Sequence, residues 1–471
     1  MIRSTIIYGV AGMLPSLLGF VLLPFYSKYL STSEYGIISA MGVLSGVLAV
    51  FSNLALDRAA FRFYFDSNEP TERRKLLGTF FIGSIGVSVL CLCLLLLAKP
   101  LLSQTYPEIA FYPYYFFAIV TISLNACEVF VMGYFRISEK PRSYLLMIFT
   151  QLCLQGGLIF YFVLVKEQGA LGQVRALMTA ALTLLPVYLV MAYKNFALSF
   201  KWDLFKQGVA FSWPFIPTLL IAWVLNWSDS VFIAHFGSMS EVGVYAMAYK
   251  ISMVFFMLTG AFALAYQPVF FRKANQADQE EARSSIYSII HIASRAFILI
   301  AFLLALFSRD IVVFLLDEKY QDTYILIRVI VLSHIFPAIM GISSNLYYLQ
   351  SKRSKLQLLV VTTSAIVNLI LNYLMVPQFG MLGAAWATVI SMMVLTVIHY
   401  NFARACYFIP IFWGKLILLI AFSVSFVLFF QFVLEGSWMA LPLKVVFLAV
   451  LVHFVWKNQE LLFLMKGLRT Q

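Results

Sequence analysis

Charge is scarce in this chain. Of 471 residues, 11% are Asp, Glu, Lys or Arg and 62% are hydrophobic. A soluble domain of this size needs far more polar surface than that, so lipid must solvate most of the protein. Cysteine is also scarce. Cys91, Cys93, Cys127, Cys153 and Cys406 show no CxxC spacing and have no neighbouring histidine, which argues against a disulfide framework or a metal site. They read as inert thiols within apolar spans. Walker, GxSxG and HExxH motifs are absent, and so is any long polar stretch that could fold as a nucleotide-binding domain. Catalysis and ATP-driven transport therefore lack a sequence basis, and no cofactor is expected. The net charge of +12 would suggest nucleic acid in a soluble protein. Here the basic residues fall in short loops between apolar runs, the pattern that orients membrane proteins, so no nucleic-acid partner is expected.

What the chain does have is long apolar runs. A bilayer-spanning helix needs about 20 such residues. The runs place spans at 6–28, 36–57, 76–98, 111–135, 143–165, 173–193, 208–236, 242–267, 286–308, 323–349, 356–376, 383–402, 410–434 and 438–456. The expected fold is an all-α integral membrane protein of about 14 transmembrane helices. Continuous runs rather than alternating segments exclude a β-barrel. The first span is interrupted by Pro15 and Pro24 and lacks a small-residue cleavage site, so it reads as a retained helix. With the N-terminus on the cytoplasmic side, 23 Lys and Arg fall on the inner side against 6 on the outer, in loops or near span ends. That bias supports the alternation and puts both termini in the cytoplasm.

One short stretch occurs twice. Ser31-Thr32-Ser33-Glu34-Tyr35-Gly36 returns as Ser238-Met239-Ser240-Glu241-Val242-Gly243, 207 residues later, and Phe25 and Phe232 keep that offset. Each is a polar elbow between two apolar spans. Ser-x-x-Glu reads as a capping box at the second helix, and the glycine permits close helix approach. Two equivalent hairpins imply duplication, with six-helix lobes related by a pseudo-twofold axis along the membrane normal. The expected organisation is an N-lobe (1–193), an amphipathic inner-surface linker (194–207), a C-lobe (208–402), and an appended helix pair with a cytoplasmic tail (403–471).

An ionised residue at the bilayer centre costs about 2.5–3.5 kcal/mol, so charges within spans deserve an account. Asp229 and Lys250 lie at similar depth on the two arms of the second hairpin. They read either as a structural pair or as a cavity-facing pair that exchanges partners during transport. Arg58 and Arg62 share a face at the inner end of the second helix. Asp57 or Asp66 could neutralise them; otherwise they snorkel to lipid headgroups or bind a diphosphate, whose oxygens suit guanidinium forks. Arg295 lies mid-span and is the deepest cationic candidate, whereas Arg328 is nearer the outer surface. Glu128 reads equally as a proton or cation carrier and as a hydrogen-bonded structural carboxylate. His235, His291 and His334 have no ligand spacing and read as interfacial or packing residues.

These residues resemble the polysaccharide-transport branch of the multidrug/oligosaccharidyl-lipid/polysaccharide flippase superfamily. LPFYSKYLSTSEYGIISAM, ALDRAAFRFYFD, WVLNWSDSVFIAHFGSMSEVGVYAMAYKI and NLILNYLMVPQFGMLGAAWATVIS carry the likeness. The resemblance implies export-directed flipping of undecaprenyl-diphosphate-linked oligosaccharide across a bacterial inner membrane, for O-antigen, capsule or exopolysaccharide. The sugar would occupy a cationic cavity between the lobes, the prenyl tail would stay in membrane lipid, and a proton or sodium gradient would drive alternating access. Polysaccharide polymerase machinery would be a downstream partner. Arg58, Arg62, Asp229 and Lys250 carry over from the matching motifs; Glu128, Arg295 and Arg328 rest on the charge argument. Peptidoglycan-precursor flippases of the superfamily typically carry cavity arginines in their first helix, and this chain has none between Arg3 and Lys28. The alternatives are a cation-coupled exporter of small amphiphilic molecules and a non-transporting scaffold of a polysaccharide assembly complex.

Overall fold

The computed structural model describes residues 2–66, 68–274, 279–343, 354–406, 413–431 and 442–449. The 344–349 end of one expected span, most of the 438–456 span and the tail lie outside them. Among the described residues the secondary structure is helical throughout, and eleven helices are long and apolar enough to cross a membrane. The last of these, Leu358–Phe402, holds two of the expected spans, divided at Gly380 where φ is +55°. A shorter apolar helix, Leu416–Phe429, falls within the expected 410–434 span.

The first hairpin is built from α1 (Ile2–Val21), α2 (Leu23–Tyr29) and α3 (Thr32–Asn53), with Pro24 in the first turn of α2. The 36–57 span was expected to run unbroken. Instead α3 stops at Asn53, and Leu54 and Ala55 are both left-handed, with φ of 47° and 53°. A short helix, α4 (Leu56–Phe63), follows. Left-handed backbone costs about 1–2 kcal/mol per non-glycine residue, so neighbouring contacts must hold the break. Ser212 Oγ donates to Ala55 O at 2.9 Å, and Asn53 donates to Asp57 Oδ1 at 2.8 Å while accepting from Ser84 Oγ at 3.0 Å. Arg58 and Arg62 therefore sit on a separate helix beyond the break.

Next come α5 (Pro70–Leu97), opened by proline at its first position, and the short α6 (Lys99–Thr105). They are followed by α7 (Phe116–Ile137), α8 (Pro141–Ile159) and α9 (Gly169–Asn195). Arg136 and Lys194 lie in the last turns of α7 and α9, where cations complement the helix dipole. After α9 the linker runs to α10 (Trp202–Ser212) and α11 (Phe215–Phe236). The remaining helices are α12 (Met239–Ala274), α13 (Gln279–Leu306), α14 (Ser308–Leu315), α15 (Thr323–Ser343), α16 (Ser354–Cys406) and α17 (Trp413–Phe429).

The chain forms two compact units: residues 1–247 with 369–384, and residues 248–368 with 385–471. In the first, one core gathers Phe80, Phe81, Phe130, Tyr134, Leu184 and Phe196, and another gathers Met41, Leu44, Tyr115 and Ile119. In the second, Phe302 and Leu306 pack with Val427 and Phe430. Lys444 is 6% exposed and its ammonium meets Asp310 at 2.7 Å. That ion pair fixes residues 442–449 to α14 and accounts for a buried lysine. Large apolar side chains such as Leu97, Leu101, Phe314 and Leu418 point outward, as they must where the solvent is hydrocarbon.

The linker is seated on α5 by glycine. A Cβ on Gly78 would fall 1.7 Å from Ala197 O, and a Cβ on Gly208 would fall 2.0 Å from the Phe80 ring. Ala197 N donates to Arg74 O at 2.9 Å, and Thr79 Oγ1 donates to Ser199 O at 3.2 Å. Trp202 on α10 and Trp213 just past its end stay exposed, which suits an interfacial helix. Gly78→Val should unseat this segment, since overpacking costs about 1–3 kcal/mol. The expected result is faster trypsin cleavage at Lys194 or Lys201 in reconstituted protein, with the membrane-embedded fragments intact.

Candidate transport site

The two elbows are the best-defined features of the first unit. In the first, Ser31 Oγ accepts from Glu34 N at 3.2 Å and Glu34 Oε2 accepts from Ser31 N at 2.9 Å. In the second, Ser238 Oγ accepts from Glu241 N at 3.3 Å and Glu241 Oε2 accepts from Ser238 N at 3.0 Å. Both are complete capping boxes. The elbows also pack against each other. A Cβ on Gly36 would lie 1.8 Å from Met239 O, and a Cβ on Gly243 would lie 1.9 Å from Thr32 O. Met239 follows Thr32 by the same 207 residues that separate Gly243 from Gly36. The contact thus maps onto itself when the repeats are exchanged, which is the local signature of a twofold axis. Thr32 Oγ1 and Ser240 Oγ share a hydrogen bond of 2.8 Å across it.

A second repeat emerges from the structure. Gly169-Ala170-Leu171-Gly172 opens α9, and Gly380-Met381-Leu382-Gly383 divides α16. The leading glycines have φ of 57° and 55°, a region that favours glycine. A Cβ on Gly172 would lie 2.8 Å from Phe162 O, and one on Gly383 would lie 2.4 Å from Met375 O. Each turn also faces the elbow glutamate of its own repeat. Glu34 Oε1 would be 1.8 Å from a Cβ on Gly169, and Glu241 Oε1 would be 3.8 Å from one on Gly380.

Asp229 on α11 is 4% exposed. Its Oδ2 accepts from Tyr245 Oη at 2.5 Å, and its Oδ1 accepts from Asn372 Nδ2 at 2.9 Å. Two neutral donors from α12 and α16 therefore meet this carboxylate within its unit. Lys250 lies on α12 in the second unit and is half-buried. Among the described residues it has neither a hydrogen-bond acceptor nor a carboxylate partner. Glu128 on α7 is also half-buried and accepts from Gln151 Nε2 of α8 at 2.8 Å.

The other arginines separate by role. Arg62 is exposed and pairs with Asp66, one of the two anions expected to serve it. Arg58 is exposed, with its guanidinium 5.0 Å from the centroid of Phe215. Arg295 is exposed on α13. Arg328 donates through Nε to Ser308 Oγ at 3.1 Å and to Ala305 O at 3.4 Å, and lies over Tyr324. Those bonds close the junction of α13 and α14. Arg58, Arg62, Glu128 and Asp229 belong to the first unit, and Lys250, Arg295 and Arg328 to the second. Among the described residues no group of three or more His, Cys, Asp or Glu is placed to hold a metal ion.

Duplicated helical hairpins, apolar spans throughout and carboxylates deep among helices define a polytopic membrane protein of the transporter kind. A family model described as polysaccharide biosynthesis protein matches residues 1–274, and a second, MatE, matches residues 214–374. The chain belongs to the polysaccharide biosynthesis protein family, within the multidrug/oligosaccharidyl-lipid/polysaccharide superfamily. It is 23% identical over 410 residues to the probable low-salt glycan biosynthesis flippase Agl15 of Haloferax volcanii, covering 85% of this chain and 83% of that one. Its fold is similar to that of the lipid II flippase MurJ in an inward closed conformation. The TM-score is 0.74 at 14% identity, over 98% of this chain and 100% of that one. A multidrug resistance MATE transporter in an inward-facing conformation matches with a TM-score of 0.64 at 14% identity, over 88% and 98% of the respective chains.

Proposed function

We propose that the protein is a flippase that moves undecaprenyl-diphosphate-linked oligosaccharide from the cytoplasmic to the outer leaflet of a bacterial inner membrane. It works by ion-coupled alternating access and feeds a polysaccharide polymerase. It is a transporter rather than an enzyme. The observation that carries this reading is Lys250, an ammonium within an apolar helix that has no partner among the described residues. An unpaired cation at that depth is costly unless a cavity or a ligand meets it. In a family that builds polysaccharide, a lipid diphosphate supplies the complementary charge. Arg58, Arg62 and Arg295, exposed in the protein alone, would complete a cationic path between an N-lobe of residues 1–193 and a C-lobe of residues 208–402. Arg328, held by Ser308 and Ala305, would shape the end of that path rather than bind. Asp229 and Glu128 are the carboxylates that would carry the coupling ion, proton or sodium. Both termini would face the cytoplasm.

The test is complementation of a strain lacking the protein, with Lys250→Ala, Arg58→Ala and Arg295→Ala at matched membrane levels. Surface polysaccharide should fall about tenfold or more for Lys250→Ala, with lipid-linked oligosaccharide accumulating on the cytoplasmic face. Wild-type polysaccharide from all three variants would remove the cationic path. The MatE match over residues 214–374 favours one second reading, a cation-coupled exporter of small amphiphiles. Unchanged surface glycan in the deletion strain, with altered resistance to cationic amphiphiles, would select it.

A further inference from the structure

A cavity of about 260 Å³ lies in the first unit where the linker crosses α5 and α9. Phe81 and Ile82 of α5, Leu189 and Tyr193 of α9, and Phe196 and Leu198 of the linker line it. Every lining side chain is hydrocarbon apart from the Tyr193 hydroxyl. Leu189, Tyr193 and Leu198 are exposed, so the cavity opens on the protein surface. Its edge is basic. Arg74 lies one turn before Gly78 on α5, and its Nη2 donates to Lys194 O at 3.1 Å. Lys194 directly follows Tyr193. Both cations are exposed, and among the described residues neither side chain has a carboxylate partner. Glu72, half a turn before Arg74, is already shared by Lys75 at 2.9 Å and Lys201 at 3.5 Å. One hydrogen bond leaves most of the five N–H donors of Arg74 open to an anion. Trp202 is exposed on the next helix and stacks on Phe205 at 5.5 Å, which sets this edge at headgroup level.

We propose that this is a binding site for an acidic phospholipid, with the phosphate on Arg74 and Lys194 and one acyl chain in the cavity. The site is independent of what the protein transports. An apolar slot beside two cations that no carboxylate neutralises fits a molecule with a hydrocarbon tail and an anionic head. Basic pockets between helices recognise acidic headgroups in this way. Two such cations favour an acidic over a zwitterionic lipid by about 30-fold. That preference fills the site from a leaflet rich in acidic phospholipid and is too small to retain a scarce transported lipid. The bound lipid touches α5, α9 and the linker at once and so braces the chain leading into α10. Ser212 of α10 donates to Ala55 O at 2.9 Å, and Phe211 packs on Phe63 with ring centroids 5.6 Å apart. The lipid thereby steadies the helix that carries Arg58 and Arg62.

The test uses full-length protein in phosphatidylcholine vesicles containing a trace of phosphatidylglycerol with a photoactivatable group partway down one acyl chain. A parallel sample carries the same chain on phosphatidylcholine, and adducts are located by peptide sequencing. At equal mole fraction, phosphatidylglycerol should label the segments around Phe81–Ile82 and Leu189–Tyr193 about 30-fold more than phosphatidylcholine. The Lys194 ammonium makes no hydrogen bond among the described residues, so Lys194→Gln keeps the fold, and it should lower the ratio about fivefold. Arg74→Gln combined with Lys194→Gln should bring the ratio to about one. Labelling on the rest of the protein should stay as in wild type, which reports that both variants are folded. Equal labelling by the two lipids in wild type would overturn the proposal and leave an ordinary lipid-facing surface. A ratio indifferent to both substitutions would overturn it as well. Displacement of the phosphatidylglycerol adducts by a prenyl diphosphate at equal mole fraction would assign the site to a transported lipid instead. Loss of labelling as protein density in the vesicles rises would assign it to a second copy of the chain, and either outcome overturns the proposal.

Discussion

Tying the elbows together should stop transport. The Thr32→Cys, Ser240→Cys pair, placed in a background with the five native cysteines replaced, is expected to oxidise spontaneously and abolish surface polysaccharide, with recovery on adding dithiothreitol. Thr32 Oγ1 and Ser240 Oγ are 2.8 Å apart, and two sulfurs in their places need close to about 2.0 Å. Alternating access requires one end of the path to open when the other closes. The elbows, on the face that the charge count assigns to the outside, make their contact through backbone carbonyls set against Gly36 and Gly243. The converse variants should fail from the opposite direction. Gly36→Val and Gly243→Val push side-chain atoms into Met239 O and Thr32 O and so disfavour the closed contact. At about 1–3 kcal/mol of overpacking, the closed population should fall about 5- to 150-fold. A membrane-impermeant thiol reagent reads this directly as faster labelling of a single Cys at position 32. Full polysaccharide from the oxidised double-cysteine protein would make the junction a static brace. Each single-cysteine protein, unable to cross-link within a chain, should behave as wild type under both redox conditions.

The spans were legible because lipid imposes one requirement, apolar side chains over a bilayer's thickness, and α5, α7 and α9 meet it over most of their length, with Glu128 and Arg175 as charged exceptions in α7 and α9. The elbows were legible because a capping box is local, needing a serine and a glutamate at fixed spacing. The break after Asn53 was not. Leu54 and Ala55 carry no glycine or proline signal, and what holds them is Ser212 Oγ on Ala55 O, 157 residues away. The charges announced themselves by being out of place in apolar runs, but their partners did not. Asn372 reaches Asp229 across 143 residues of sequence, a separation that no spacing rule spans. The same holds for Arg328, whose acceptors Ser308 Oγ and Ala305 O lie 20 and 23 residues away in sequence. The GxLG repeat could have been read. Its two copies share few residues and sit 211 apart, an offset different from that of the elbows, so a search at one fixed period passes over them.

Replacing Asp229 should separate charge from architecture. The carboxylate accepts from Tyr245 Oη and Asn372 Nδ2. Asp229→Ala leaves both donors buried without that acceptor, at about 1–3 kcal/mol each. The expected result is reduced membrane level and a lowered unfolding temperature, followed in detergent by fluorescence-detected size exclusion. Asp229→Asn should behave differently. Its carbonyl oxygen can still accept from Asn372, and its amide can donate to Tyr245 Oη, because a hydroxyl serves equally as acceptor. Every hydrogen bond of the cluster then has a counterpart while the negative charge is gone. If Asp229 carries a coupling ion, Asp229→Asn reaches wild-type membrane levels with an unfolding temperature close to wild type, yet supports no more surface polysaccharide than the deletion. If the carboxylate is a structural acceptor, Asp229→Asn exports polysaccharide normally, and the proposed ion coupling would fall to another group, with Glu128 the first to examine. The two variants together decide the matter. The alanine change measures what the hydrogen bonds contribute to the fold, and the asparagine change removes the charge with those bonds in place.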